Sequence, residues 1–517
     1  MAVLTGEHLQ ALLESLLISK NEADANRALQ RHKGKDEIHF KNIDWQKLRS
    51  LSEDGSLNFP EMNWGGHKLV FEGCSFGHGD FHLSGTFNGQ VEFHDVMFGE
   101  GNVSFAGSRF QGLKLEQIYC TGRGEFSFAG AWFARETIIH FGNLGNKNLV
   151  FEPADVDDRT TNKGETLIGG DLFMLTVEDW HGEKLTLRSA QISSTGVVMN
   201  FGGATNLKTV DFTSTLWTSQ SVYVDSIEMN NEDDQRLAFT LASFEKVHHL
   251  FLRDVGMTKG SMIFAFAKFP SKALFNLQFA DLGTGQIAFH HASFPGSVEI
   301  TQKGGANFAS ELSFKGSTFE GPLTVAGMTF GPVPDFTRTE FSKHLNLSNV
   351  AFGAQLTKKQ KRSEVNRDVK LQRIKALAED NRDHDLALMC HAEEMKYNRF
   401  RKNGLFPWCA SILDAVYQGV SDYGRSIFLP VLWLVVTWLC FGGIYLWQFD
   451  NLEKPWLFSA GWLLPFLPVS GVLRTVEYAE VFKSADPSLY SLIGLQSLIA
   501  IPLLFLVGLG FRNRFRI

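Results

Sequence analysis

The sequence predicts a mainly β protein: a long β-solenoid with an N-terminal helical cap, a helical neck and two C-terminal transmembrane helices. Three observations carry this reading. A unit of paired large apolar residues recurs from 71 to 352, the pattern changes to a helical period from 357 to 403, and two long uncharged apolar runs follow. The boundaries fall at 1–60 for the cap, 61–356 for the solenoid, 357–425 for the neck and 426–517 for the membrane domain.

Composition agrees with a long core. Of 46 Phe in 517 residues, 33 lie between 71 and 352, against 8 Tyr in the whole chain. With 44% hydrophobic and 20% charged residues, wholesale disorder is excluded. Five cysteines (Cys74, Cys120, Cys390, Cys409, Cys440) lie far apart, which argues against a disulfide scaffold or zinc module and fits a reducing compartment. The net charge of −7 argues against a general nucleic-acid surface.

The N-terminal segment lacks a basic region ahead of an apolar stretch and reads as amphipathic helix rather than secretory signal. Helix-like runs around 5–19 and 22–31 are placed to cover the open edge of a solenoid, which would otherwise invite edge-to-edge pairing.

The repeat itself is a large apolar residue, four others, then a second large apolar residue. Its clearest pairs are Phe314/Phe319, Val325/Phe330, Phe336/Phe341 and Leu347/Phe352. Phe289/Phe294, Leu277/Leu282, Phe264/Phe269, Leu252/Met257, Phe239/Phe244, Val224/Met229 and Phe212/Trp217 precede them. Near the start stand Phe71/Phe76, Phe93/Phe98, Phe105/Phe110, Leu115/Cys120, Phe128/Phe133 and Ile139/Leu144. The phenylalanines of these pairs are read together as the inner ladder of the solenoid. A helix would place partners three and four apart and a flat strand would alternate, so steps of five suit a chain that turns a corner every few residues. Two units would make one coil, and about 12 coils at ~4.8 Å would give a rod of about 55–60 Å. Segment 157–166 and Asn230–Gln235 read as insertions, and the coil register between 145 and 238 is left open.

FEGCSF, FAGSRF, FAGAWF and FKGSTFEG resemble the Phe-centred pentapeptide-repeat proteins, over about 280 residues. The resemblance implies a right-handed quadrilateral β-helix. This chain departs from the family's strict five-residue beat, adding one to three residues per pair.

In the neck, Leu371, Ile374, Leu377 and Ala378 line one helix, and Leu386, Met389, Cys390 and Met395 could line a second. Glu379–Asp385 forms the turn, while Gly404 and Pro407 end the second helix. Basic residues outnumber acidic ones 13 to 8 over 353–405, which suits anionic headgroups or a plain solvated face.

The uncharged runs at 426–449 and 487–511 are each long enough to cross a hydrocarbon core. Arg399, Arg401, Lys402 and Arg425 before the first, and Arg512, Arg514 and Arg516 after the second, place both termini in the cytoplasm. The loop 450–486 is extracytoplasmic or re-entrant. The neck ending EEMKYNRFRK, SDYGRS and GLGFRNRFRI resembles the tail of membrane-bound bacterial pentapeptide-repeat proteins, which implies the bacterial cytoplasmic membrane.

No Walker loop, HExxH, GxSxG or dinucleotide fingerprint occurs, so no catalytic, cofactor or metal residue is assigned and an enzyme is not expected. His248–His249 and His290–His291 alternate sides of an extended chain and cannot simply chelate one ion. Three readings remain. One is a membrane-anchored scaffold whose rod binds a protein partner, with membrane lipid as the other partner. Another is an oligomeric pore lined by Ser459, Ser470, Gln496 and Ser497, for which a homo-oligomer would be needed. The third is a duplex-DNA mimic. A net charge of −11 over 61–352 falls well short of B-DNA's density, so nucleic-acid chemistry is set aside.

Overall fold

A computed structural model describes residues 37–514 apart from 154–164, 230–234, 258, 272–273, 281–282, 284, 304–306, 344, 354–355, 402–404, 449–453, 464–471 and 473–486, together with 3–4, 7–18, 23–24 and 26–27. The chain forms two compact units, Met1–Glu364 and Val365–Ile517, each described by itself.

The first unit is a parallel β-solenoid of about 11 turns. Each turn visits four ladders. In one early turn, ladder 1 pairs Phe71 with Phe93, ladder 2 bridges Ser75 to Met97, ladder 3 pairs Phe81 with Val103, and ladder 4 pairs Thr86 with Arg109. A turn takes 22 residues at Phe71↔Phe93 and 25 at Leu252↔Leu277, so each apolar pair spans two neighbouring faces of a four-sided coil.

Corner chemistry explains the spacing. Between ladders 3 and 4 the third residue of each unit adopts a positive φ: Gly107, Ser189, Ser214 and Gly316 all do so. At Gly316 the requirement is also steric, because a Cβ would stand 2.7 Å from the His291 ring. The next residue donates its N–H back to the first, as Ser317 does to Phe314, and its small side chain is buried in the corner. That accounts for the order aromatic, free, left-handed, small, free, aromatic in FAGSRF and FKGSTF.

The paired phenylalanines sort into separate inner columns. Each five-residue step carries the chain round a corner, so the two members of a pair fall in different columns. Phe71 and Phe93 stay on ladder 1, whereas Phe76 and Phe98 lie on ladder 2, stacked at 4.9 Å. Phe330 and Phe352 are also on ladder 2, paired in register with ring centroids 6.3 Å apart. Phe105 and Phe128 stack on ladder 3 at 5.4 Å, while Phe110 and Phe133, their partners in sequence, pair on ladder 4 at 5.5 Å.

The same columns continue along the rod. On ladder 3, Phe239, Phe264 and Phe289 stack at 4.7 and 4.5 Å with planes within 8°, and Phe314 and Phe336 follow at 5.3 Å. On ladder 4, Phe269, Phe294 and Phe319 stack at 4.4 and 4.5 Å. Full burial of each such side chain contributes about 1.5–3 kcal/mol. All 21 phenylalanines of these pairs are buried except Phe341, which is half-buried.

The solenoid begins earlier than the boundary at 61. Glu37–Phe40 already pairs with Lys68–Phe71, and Phe40 stacks on Phe71 at 3.9 Å. Trp64 stacks on Phe87, completing a coil in which Phe40/Trp45 and Phe59/Trp64 keep the five-residue step with Trp in place of Phe. Helix α1 (Glu7–Ile18) buries Leu9, Leu12, Leu13 and Leu16. It is tied to the first coil by hydrogen bonds between Gln10 and Asp44 and by the Lys47–Glu14 ion pair. Val3–Leu4 adds a parallel rung on Glu37–Ile38 at that end. Most of the second expected run, 22–31, lies outside the described residues.

Through 145–238 the register is continuous: Ile139, Leu175, Met199, Val224 and Leu252 succeed one another on ladder 1. Leu282, and the side chain of Met257, lie outside the described residues.

In the second unit, α2 (Arg367–Asp380) buries Leu371, Ile374, Leu377 and Ala378, and α3 (His384–Asn398) buries Leu386 and Cys390. Asp383 caps α3 by accepting from the Leu386 N–H. A further helix, α4 (Leu405–Ser421), forms where the sequence suggested a stop, because Pro407 falls in its first turn. Helices α5 (Phe428–Gln448) and α7 (Pro487–Arg514) are long and apolar enough to cross a membrane. Between them α6 (Pro455–Leu463) turns back along α5: Phe458 packs with Phe441 and Tyr445, and Leu463 with Leu434, Ala500 and Leu503.

Candidate functional site

Alternation on ladder 1 sends Phe71, Phe93 and their successors inward and the residues between them outward. Towards both ends of the rod most of those outward positions are polar or charged, Val70 being an exception. Lys68 pairs with Glu92 at 2.9 Å, and His94 with Glu116 at 3.1 Å. Asn276 donates to Glu299 at 3.2 Å.

In the middle of the rod the outward column is apolar. Ile138, Met174, Val198, Tyr223 and Phe251 follow one another on consecutive turns, each half-buried by its neighbours. The Tyr223 and Phe251 rings stack at 5.0 Å and 6°. Arg253 lies over both, 5.2 Å from the Phe251 centroid and 6.0 Å from that of Tyr223. Five rungs at ~4.8 Å make a stripe about 19 Å long.

Its two margins differ. One runs Leu172, Gly196, Ser221 and His249 on successive rungs, with the His249 ring stacked beside Phe251 at 6.4 Å. The other runs Thr176, Asn200, Asp225 and Arg253. Burial raises the Asp225 carboxyl pKa, and the Arg253 charge works in the opposite direction.

This stripe was not singled out from the sequence. Its signal is present in TIIHF, LFMLTV, GVVMN, SVYVD and HLFLR, where apolar residues occupy both parities of the strand. The extra residues there are the outward column.

No family model, curated protein or solved structure matches the chain. The geometry of its own residues therefore carries the functional argument.

In the hairpin, the structure brings two of the polar candidates together. Gln496 donates to the Ser459 carbonyl and to its Oγ, each at 2.9 Å, and accepts from the Tyr445 hydroxyl at 2.9 Å. Ser459 Oγ in turn donates to the Trp438 carbonyl at 3.1 Å. The Gln496, Ser459 and Tyr445 side chains are all buried. Ser497 is half-buried one residue along α7, and Ser470 lies outside the described residues. Close approach of α6 requires Gly442, where a Cβ would fall 2.2 Å from the Trp456 ring.

Both long helices bring their polar ends to one level: Asn513 donates to the Gly424 carbonyl at 3.2 Å. Arg425, Arg512 and Arg514 are exposed there, and Arg401 lies over the Tyr397 ring at 4.2 Å. Arg399 behaves differently from the other expected anchors. It is largely buried and clamps α4 to the end of α3, through Asp414 at 2.6 Å, Gln418 at 2.8 Å and the Tyr423 hydroxyl at 2.6 Å. Burial, reinforced by the Asp414 charge, pushes the Tyr423 phenol up to about 12. Lys402 and Arg516 lie outside the described residues.

Of the paired histidines, His290 bonds to Ser313 Oγ at 3.0 Å and His291 stacks on Phe266 at 5.3 Å. Among the described residues no group of three or more His, Cys, Asp or Glu converges as metal ligands.

Proposed function

We propose that the chain is a membrane-anchored scaffold whose rod binds a protein partner along the outward stripe of ladder 1. The observation that carries the reading is the run of five consecutive apolar rungs from Ile138 to Phe251, flanked on the same column by Lys114 and Asn276. A contiguous apolar stripe left partly open to solvent is the kind of surface that supports a protein contact. Its repeat of ~4.8 Å lies close to the pitch of about 5.4 Å at which an α-helix presents an apolar edge. An amphipathic helix laid along the rod axis matches it, with aromatic anchors at Tyr223 and Phe251 and Arg253 available to a carboxylate.

The hairpin supplies the tether in this reading. Exposed Arg425, Arg512 and Arg514 at one end support a cytoplasmic rod with both termini on that side. The Phe-centred units are those of a pentapeptide-repeat protein, and the membrane is the bacterial cytoplasmic membrane. The activity is binding rather than catalysis. A pore is the weaker reading, because Gln496 and Ser459 satisfy each other inside one hairpin.

The test is co-purification from native membranes of the full-length protein and its Tyr223→Ser/Phe251→Ser variant. A protein recovered with the parent, retained by a Thr324→Ser control and lost with the double variant supports the reading. An identical set of companions in all three contradicts it.

A further inference from the structure

Helix α4 is folded with its polarity reversed. Its polar side chains point into the protein: Asp414 and Gln418 receive the Arg399 guanidinium, and Ser411 Oγ accepts the Phe400 N–H at 3.1 Å. Ser421 Oγ accepts from the Gly424 N–H at the helix end. The outward face is apolar instead. Phe406 is 85% exposed, Leu413 69%, Val416 55% and Trp408 54%, with Cys409 exposed among them.

Two further observations say what covers this face. The helix is fixed beside the first long apolar helix, since Trp433 of α5 donates its indole N–H to the Gly419 carbonyl at 3.1 Å. It also ends at the turn to which the C-terminal end of α7 is bonded, where Arg425, Arg512 and Arg514 are exposed. An apolar helical face bearing Trp and Phe, beside a ring of arginines at the mouth of a membrane hairpin, has the chemistry of the headgroup–acyl boundary.

We propose that α4 is an interfacial membrane helix, its Phe406–Val416 face sunk among the upper acyl chains and its polar face locked to the neck by Arg399. The inference rests on the membrane-anchor reading and adds a second, superficial attachment. It makes the joint between neck and hairpin a lipid-contacting element rather than a free linker.

Native cysteines allow a test that separates the two claims. Cys409 lies on the α4 face and Cys440 on the exposed side of α5, whereas Cys74, Cys120 and Cys390 are buried. Full-length Cys440→Ser and Cys409→Ser variants are labelled with a fluorescent maleimide and reconstituted in phosphatidylcholine–phosphatidylglycerol vesicles. Quenching is read from lipids bearing a nitroxide high on the acyl chain, from lipids bearing it near the chain end, and from aqueous iodide. The inference predicts that the Cys409 probe is quenched most by the high nitroxide and is shielded from iodide. The Cys440 probe should be quenched most by the deep nitroxide. A Cys409 probe open to iodide and untouched by lipid, with Cys440 deeply quenched, overturns the interfacial helix and leaves the anchor standing. A Cys409 probe reached by neither quencher shows that protein, such as a second copy, covers the face and overturns it too. No lipid quenching at Cys440 removes the anchor and the inference with it.

Discussion

Tyr223 and Phe251, 28 positions apart in the chain, lie face to face on the outside of the rod with ring centroids 5.0 Å apart. They occupy the outward parity of ladder 1, directly above inward Val222, Val224, Leu250 and Leu252. Such a pair adds about 0.5–1.5 kcal/mol to a fold. The Tyr223→Ser/Phe251→Ser variant should therefore remain folded, with a small drop in its unfolding midpoint and unchanged circular dichroism, while losing its partner. Gross destabilisation would make the pair structural instead.

Truncating the inner columns should behave oppositely. Phe264 stacks between Phe239 and Phe289 at 4.7 and 4.5 Å and is fully buried. Phe264→Ala should cost about 3–5 kcal/mol. Because each coil touches only its neighbours, hydrogen exchange should rise first in the flanking coils. Uniform acceleration along the rod would contradict this.

Much of that inner surface was legible in the sequence, and the omissions have identifiable causes. The five-residue step marked which phenylalanines turn inward but not how they sort, so Phe76 and Phe98 were grouped with Phe71 and Phe93 although a corner separates them. Leu83/Phe87 is one residue short of the five-step because Gly85 takes a φ of 138° at the corner. Trp45 and Trp64 keep the spacing with Trp in place of Phe, and residues 37–60 of the first coil therefore fall inside the expected cap. The outward stripe was hidden by its own composition: with apolar residues on both parities, Val197–Val198 and Val222–Tyr223 looked like a decayed repeat. In the hairpin, Ser459 and Gln496 were each singled out, but 37 residues separate them. Only the return of α6 along α5 shows that they bond to one another. The reversed polarity of α4 likewise depends on Arg399, which the sequence offered only as one more basic residue before a span.

A pH response should come from Asp211. Burial alone would raise its carboxyl pKa, but hydrogen bonds from Thr213 and Arg188 more than offset this and leave it below the usual carboxylate value. Arg188 donates to it at 2.8 Å and the Thr213 N–H at 2.9 Å. A depressed folded-state pKa contributes stability that is complete above the unfolded value of about 3.9 and is lost as pH falls below it. Asp211→Asn should cost about 1–3 kcal/mol at neutral pH. The gap between variant and parent unfolding midpoints should narrow below about pH 4. A gap that stays constant would show that the charge is immaterial.

Gln496→Leu probes the hairpin. It removes the bonds to Ser459 and Tyr445 and should lower the stability of the detergent-solubilised membrane domain by about 0.6–2 kcal/mol. The two-helix topology should be unchanged. A variant as stable as the parent would return Gln496 to the list of residues available to line a pore.

The central claim is that a protein partner lies along the outward stripe, and site-specific photo-crosslinking in native membranes tests it most directly. A photoreactive amino acid at Phe251 should yield a covalent adduct with another protein, whereas the same probe at Thr324, beyond the stripe on the same ladder, should yield none. No adduct from Phe251, or the same adduct from both positions, would contradict the account.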